Sequence, residues 1–206
     1  RVVKGASYDC ASTPFLRELM SHFDHFIIST GATYDDEIRK AAALLRSAEK
    51  KISFLHCVTS YPNELSMCHL SRMKWLRQFS SEVGWSDHTL VARDGIIAAK
   101  TAILLGADYV ERHFTTLAAD KSKDGPVSIT PALLRELASF RALSKEDQHA
   151  RLEEEIGAKM PDWEKVLHGA APREMTRTEL LNRAYYRGRF ASIRKEGGYL
   201  FNWQEA

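Results

Sequence analysis

Two histidines stand in matched places. GWSDHT (84–89) and YVERHFTT (109–116) each set an acid and a His where a short apolar run gives way to a polar loop. Side chains alternate along a strand, so Ser86 and His88 share a face, as do Glu111 and His113. Neighbouring parallel strands lie about 4.8 Å apart, and one stretch of helical length separates these two. On adjacent strands, both imidazoles reach one ion. Two His ligands, with water and substrate oxygens completing the shell, suit a catalytic cation more than a structural one. Mn²⁺, Mg²⁺, Fe²⁺ and Zn²⁺ all suit such an open site. A single histidine of this kind is better explained by a hydrogen bond within its own loop; the matched pair is what brings in the metal.

Other polar groups fall at strand ends. Lys4 lies inside the apolar run VVKGA, and a buried ammonium needs an anionic partner, either a ligand or a structural carboxylate. Ser29-Thr30-Gly31 ends a strand just before a helix, where free N–H groups and the helix dipole favour phosphate, although many such turns hold only a cap. His56, Thr59 and Tyr61 end the run HCVTSYP, and Asp124 sits in the polar loop DKSKDGPVS. Together these groups suit a phosphorylated or carboxylated substrate and a polarised carbonyl.

The elements that must position them alternate. Strands are predicted at 2–6, 26–29, 52–58, 82–85 and 109–114, and helices near 13–23, 34–49, 63–81, 95–105 and 131–143. Thr33 followed by Asp35, Asp36 and Glu37 reads as an N-cap with acids in the first turn. Gly106 reads as a helix C-terminus and Pro131 as a first helical position. Five strand–helix units in a row predict an α/β fold with a parallel sheet. Polar loops after the strands are the pattern of a (β/α)8 TIM barrel. Five units are too few to close one, so periodicity leaves a partial barrel and an open doubly wound sheet both standing. RVVKGAS opens without Met, already resembling a buried strand, which suggests the C-terminal part of a longer protein. The division expected is a partial barrel over 1–143 and a helical or irregular extension over 144–206. That extension is expected to pack on the barrel or on a partner, with its charges mostly solvated.

Composition narrows the classes. Lys+Arg 29 against Asp+Glu 27 leaves a formal charge of +2 over 206 residues, with both signs scattered and no basic stripe for nucleic acid. Three cysteines in no metal-ligand spacing point to reduced core thiols and a cytoplasmic setting. No apolar run approaches the roughly 18 residues of a membrane span.

In order and spacing, KGASYD, IISTGAT, LHCVTSYP, VGWSDHT, ERHFT and DGPVSITP resemble the sialic acid synthases, including the legionaminate and pseudaminate synthases, over residues 1 to about 143. The resemblance implies a (β/α)8 barrel, of which this chain contributes the fourth through eighth strands. It implies condensation of phosphoenolpyruvate with an N-acylated amino-sugar of the N-acetylmannosamine type, giving a nine-carbon 2-keto acid and phosphate. His88 and His113 match the family's metal ligands, usually for Mn²⁺, with Mg²⁺ possible. Lys4, Ser7, Ser29, Thr59 and Ser86 match groups that hold the phosphate and carboxylate of phosphoenolpyruvate. Tyr61 and Asp124 match sugar contacts, Asp9 matches an acidic position, and Glu111 matches a base or orienting group. A homodimer of the full-length protein is implied, with small molecules as the ligands.

The chain also departs from the pattern. Thr59 stands where family members often have Asn, DGP replaces a common Asp-His pair, and VARDG lengthens the loop between the two histidines. The first three strands and the C-terminal antifreeze-like domain are missing from it, and NRAYYRGRFAS stands in the latter's region. This fragment alone is therefore expected to be inactive. The alternatives are another metal-dependent barrel aldolase or hydrolase using the same His pair, and a non-catalytic sugar-phosphate-binding homologue.

Overall fold

The computed structural model describes residues 1–185 and the backbone of 192–195 and 198–201. Its strands are β1 (Val2–Gly5), β2 (His25–Ser29), β3 (Lys51–Cys57), β4 (Glu82–Asp87) and β5 (Tyr109–Arg112). They form one parallel sheet in sequential order, β1-β2-β3-β4-β5. Sequential order with a crossover between each pair is the winding of a barrel wall.

The crossovers carry helices α1 (Thr13–Met20), α2 (Asp35–Ser47), α3 (Arg72–Leu76), α4 (Val91–Asp94) and α5 (Ile97–Leu104). The long amphipathic helix expected over 63–81 is broken. Only a 3-10 turn at Leu65–Met67 and the five residues of α3 are helical, and His69 between them has φ of 44°. The expected cap at Thr33 also moves by one residue: α2 is capped at Tyr34, whose N–H donates to Glu37 Oε2 at 2.8 Å. Thr33 instead turns its hydroxyl to Gly31 O. The VARDG stretch is a single helical turn, α4, ending at Gly95 with φ of 56°.

Strand register separates two faces. Phe26, Ile28, Phe54, Val83 and Trp85 point to the helices and are buried in one core with Ile38, Leu45 and Ala102. Lys4, Ile27, Ser29, Leu55, Cys57, Ser86 and Glu111 share the other, concave face through the paired positions Lys4↔Ile27, Ser29↔Leu55, Cys57↔Ser86 and Ser86↔Glu111. This face is strongly curved. Four strand spacings of about 4.8 Å would hold the edge strands roughly 19 Å apart if the sheet were flat. Yet Lys4 Nζ on β1 lies 2.9 Å from Glu111 Oε2 on β5. The five strands therefore form a half-barrel, and the open doubly wound alternative is set aside.

Beyond β5, α6 (Pro131–Arg141) begins on Pro131 with Thr130 as N-cap. It is followed by α7 (Lys145–Leu152), a π-turn at Glu153–Gly157, α8 (Trp163–His168) and α9 (Arg177–Tyr185). Strands β6 (Ser192–Lys195) and β7 (Gly198–Phe201) form an antiparallel hairpin. The segment after residue 143 packs on the half-barrel. Leu152, Ile156, Trp163 and Leu167 join the core, and buried Lys100 on α5 pairs with Glu155 and Glu136 at 2.6 Å. Most of its charged residues are exposed, as expected, while the side chains of Arg173, Glu179 and Arg183 are buried. Most of the NRAYYRGRFAS stretch lies outside the described residues. No helix among the described residues is long and apolar enough to cross a membrane.

Candidate functional site

The C-terminal ends of the strands gather the predicted polar residues. Lys4 Nζ donates to Ser29 Oγ at 2.9 Å and to the carbonyl of Gly5 at 3.0 Å, besides its pairing with Glu111. The other oxygen of Glu111 accepts from Ser86 Oγ at 2.9 Å. One chain of contacts thus joins β2, β1, β5 and β4 across the mouth. Lys4 is exposed rather than buried, because the concave face is open above it, and the anion it meets is a carboxylate of the protein itself.

Two residues farther along β4 and β5, on the same face, stand His88 and His113. Their ring centroids are 5.3 Å apart. His88 is buried; burial, and then its neighbours His113, Arg112 and Lys4, push its pKa down to about 3. It is therefore a neutral imidazole at neutral pH, with a lone pair to donate. Its Nδ1 contacts Cys57 Sγ at 3.8 Å, and His113 Nδ1 lies 3.7 Å from Asp124 Oδ2. Neither Nε2 has a hydrogen-bond partner among the described residues. Metal–nitrogen bonds of about 2.1 Å permit ligating ring centres up to roughly 6 Å apart, so the spacing fits one shared ion. No cluster of three or more His, Cys, Asp or Glu suited to a metal occurs among the described residues.

Tyr61 stacks beside this pair, with its ring 3.9 Å from His88 and 6.0 Å from His113. Ser7, in the 3-10 turn Ser7–Asp9 after β1, accepts from Gly31 N at 3.0 Å. Asp9 lies in the same turn, half-buried. Thr59 is buried beyond β3 and its hydroxyl has no hydrogen-bond partner among the described residues. His56 is not at the mouth. It sits on the convex face, fully buried, with Nε2 2.8 Å from Cys68 O and its ring against Trp85. Strand alternation puts Cys57, not His56, on the concave side.

Reasoning from residue types passed over Asp87 and Arg112. Each immediately precedes a site histidine, faces the opposite side of the sheet, and is buried; Arg112 Nη1 lies 2.7 Å from Asp87 Oδ2 and 2.9 Å from Thr89 Oγ1. This pair ties β4 to β5 directly behind His88 and His113. An arginine within the apolar run YVERHF was the available signal.

A family model described as the NeuB family matches residues 1–149. The chain belongs to the NeuB family. Among relatives it is 32% identical over 146 residues to N,N'-diacetyllegionaminic acid synthase of Campylobacter jejuni, covering 68% of this chain and 42% of that protein. It is 32% identical over 140 residues to N-acetylneuraminate-9-phosphate synthase of Drosophila melanogaster, covering 66% of this chain and 37% of the relative. Its fold is similar to that of spore coat polysaccharide biosynthesis protein spsE from Bacillus subtilis. There the TM-score is 0.68 at 24% identity, over 86% of this chain and 48% of that one. The N-acetylneuraminic acid synthetase of Leptospira borgpetersenii gives 0.62 at 23% identity, over 90% and 57%. The chain thus spans about two-fifths of the length of these curated NeuB-family relatives.

Proposed function

We propose that this chain is the C-terminal part of the barrel of a synthase that condenses phosphoenolpyruvate with an N-acylated amino-sugar aldehyde. The observation that carries the reading is the continuous contact Ser29–Lys4–Glu111–Ser86 set beside the His88–His113 pair. In the full-length protein three further strands would close the barrel. The protein is read as a cytoplasmic homodimer that takes small-molecule ligands and binds neither nucleic acid nor membrane.

His88 and His113 would hold a divalent cation, Mn²⁺ by preference or Mg²⁺, which when bound polarises the sugar carbonyl. Lys4, Ser7, Ser29, Thr59 and Ser86 bind the phosphate and carboxylate of phosphoenolpyruvate and fix its C3 toward the aldehyde. Tyr61 and Asp124 contact the sugar, and Asp9 supplies an acidic group beside Ser7. As C3 bonds to the aldehyde carbon, positive charge develops at C2. Water adds there, and Glu111 takes its proton. Phosphate then leaves with the bridging oxygen, and the 2-keto group forms. Lys4 stabilises charge on the departing phosphate.

The test is phosphate release by the full-length protein given phosphoenolpyruvate, N-acetylmannosamine and Mn²⁺. Release that requires all three, with a nine-carbon keto acid detected by mass spectrometry, supports the reading. Metal-dependent turnover of a carbonyl or amide substrate without phosphoenolpyruvate would replace it with a different barrel enzyme.

A further inference from the structure

The rim amides after β2 and β3 are occupied by a carboxylate from the chain's own C-terminal segment. Glu179, on α9, has 0% exposure and lies beyond the family match, which ends at residue 149. Its Oε1 accepts from the backbone N–H of Ala32 at 3.2 Å and of Thr59 at 3.4 Å. Arg173 grips it with its two terminal guanidinium nitrogens, Nη2 at 2.6 Å and Nη1 at 2.7 Å, and Thr176 N donates at 3.0 Å. Burial alone would raise its pKa, but Arg173 and these N–H groups hold it below the ordinary carboxylate range. An anion therefore sits on these donors at neutral pH.

The donors outnumber what one carboxylate uses. The Thr59 hydroxyl and Arg173 Nε are both buried and without a partner among the described residues. The backbone around them is drawn tight. A Cβ at Gly31 would lie within 2.9 Å of Ser7 Oγ, Thr59 Cγ2 and Cys57 Sγ. Ala32 takes φ of 48°, and clustered N–H groups in such turns form concavities suited to anions. A phosphoryl group, with three terminal oxygens, matches this set better than two carboxylate oxygens do. The cavity beside it, of about 720 Å³, is lined by Arg39, Arg72 and Arg173 together with Asp35, Asp36 and Glu174, and by Leu180 of α9, so it is polar and of mixed charge.

We propose that Glu179 is an internal stand-in for a ligand's phosphoryl group, and that α9 is a displaceable cover over the Ala32–Thr59 anion cradle. Further contacts dock α9: Asn182 Nδ2 donates to Thr59 O at 2.8 Å, and Arg183 donates to Ala32 O at 2.6 Å and holds Glu37 through two bonds of 2.9 Å. Phosphate competes with Glu179 alone, so binding exchanges one anion for another while Arg173 stays paired throughout. The inference requires only an anionic ligand at this rim. Because Thr59 and Ser7 also belong to the phosphate-binding set proposed above, the cover rests on that reading, and titration with inorganic phosphate tests it apart from the condensation.

The test titrates the full chain with inorganic phosphate, wild type against Glu179→Gln, by calorimetry. The same titration on the wild type is followed by hydrogen exchange at amides 177–185. We expect at least tenfold tighter phosphate binding by Glu179→Gln, and faster exchange across α9 as the wild type fills. A folded Glu179→Gln protein with unchanged or weaker affinity would overturn the proposal, leaving Glu179 as a helix cap alone. So would wild-type protein saturated with phosphate while α9 exchange stays constant, a result that does not depend on the variant folding.

Discussion

Lys4 on the first strand and Glu111 on the last meet at 2.9 Å across the concave face of the sheet. No other relationship in the molecule says as much about its shape, because two edge strands of a flat five-stranded sheet cannot bring such side chains together. It also joins the two ends of the site, since Ser29 and Ser86 hang from the same two side chains.

Lys4→Met should separate binding from stability. Both members of the pair are more than a third exposed in their side chains, so solvent screens the attraction, and exposed pairs contribute at most about 1 kcal/mol. In the full-length protein phosphoenolpyruvate affinity should fall roughly 10- to 100-fold, the loss expected for charge-assisted bonds to an anion. Calorimetry with thermal melts checks both halves. A large drop in melting temperature with unchanged affinity would assign Lys4 a structural role only.

Arg112→Met should be costly for a different reason. Arg112 and Asp87 are 2% and 0% exposed, and removing one partner strands a buried charge, at a cost of about 3–5 kcal/mol. The double variant Asp87→Leu with Arg112→Met should regain most of that stability in urea unfolding. Because this pair clasps β4 to β5 behind the histidines, Mn²⁺ affinity should fall in the single variant. If single and double variants unfold alike, the buried pair is not what holds the strands together.

Acid should loosen the lower end of the half-barrel. Hydrogen bonds from Lys51 and Tyr109 hold Glu82 down at about 2, against an unfolded value of 4.5. A depressed carboxylate stabilises the fold above its unfolded pKa, and that stability is lost as pH falls from about 4.5 toward 2. The loss is bounded at about 3 kcal/mol by the size of the shift and is reduced by solvent at this partly exposed site. Glu82→Gln should be less stable than wild type at pH 7 and nearly equal to it only at about pH 1.5, below the folded pKa. Parallel urea midpoints for the two proteins across that range would expose the error if they stay a constant distance apart.

What the sequence makes legible is what short-range chemistry dictates. All five strands follow from apolar runs, and the caps at Gly106 and Pro131 follow from residue type. His88 and His113 share a face because side chains alternate. The 63–81 segment is misjudged because its apolar spacing suits a helix, whereas the backbone turns at His69 break it. Glu179 lies 147 residues from Ala32, and Arg183 pairs with Glu37 at a separation of 146. No local pattern distinguishes such charges from a solvated face. Asp87 and Arg112 escape notice because their burial depends on how two strands pack against the same helix layer.

The central claim is that His88 and His113 together hold one cation. Manganese titration of the full-length protein, followed by electron paramagnetic resonance, tests it directly. One Mn²⁺ per chain should bind to the wild type, and His88→Ala and His113→Ala should each abolish that binding while circular dichroism stays unchanged. Full stoichiometric binding by either folded variant would contradict the claim.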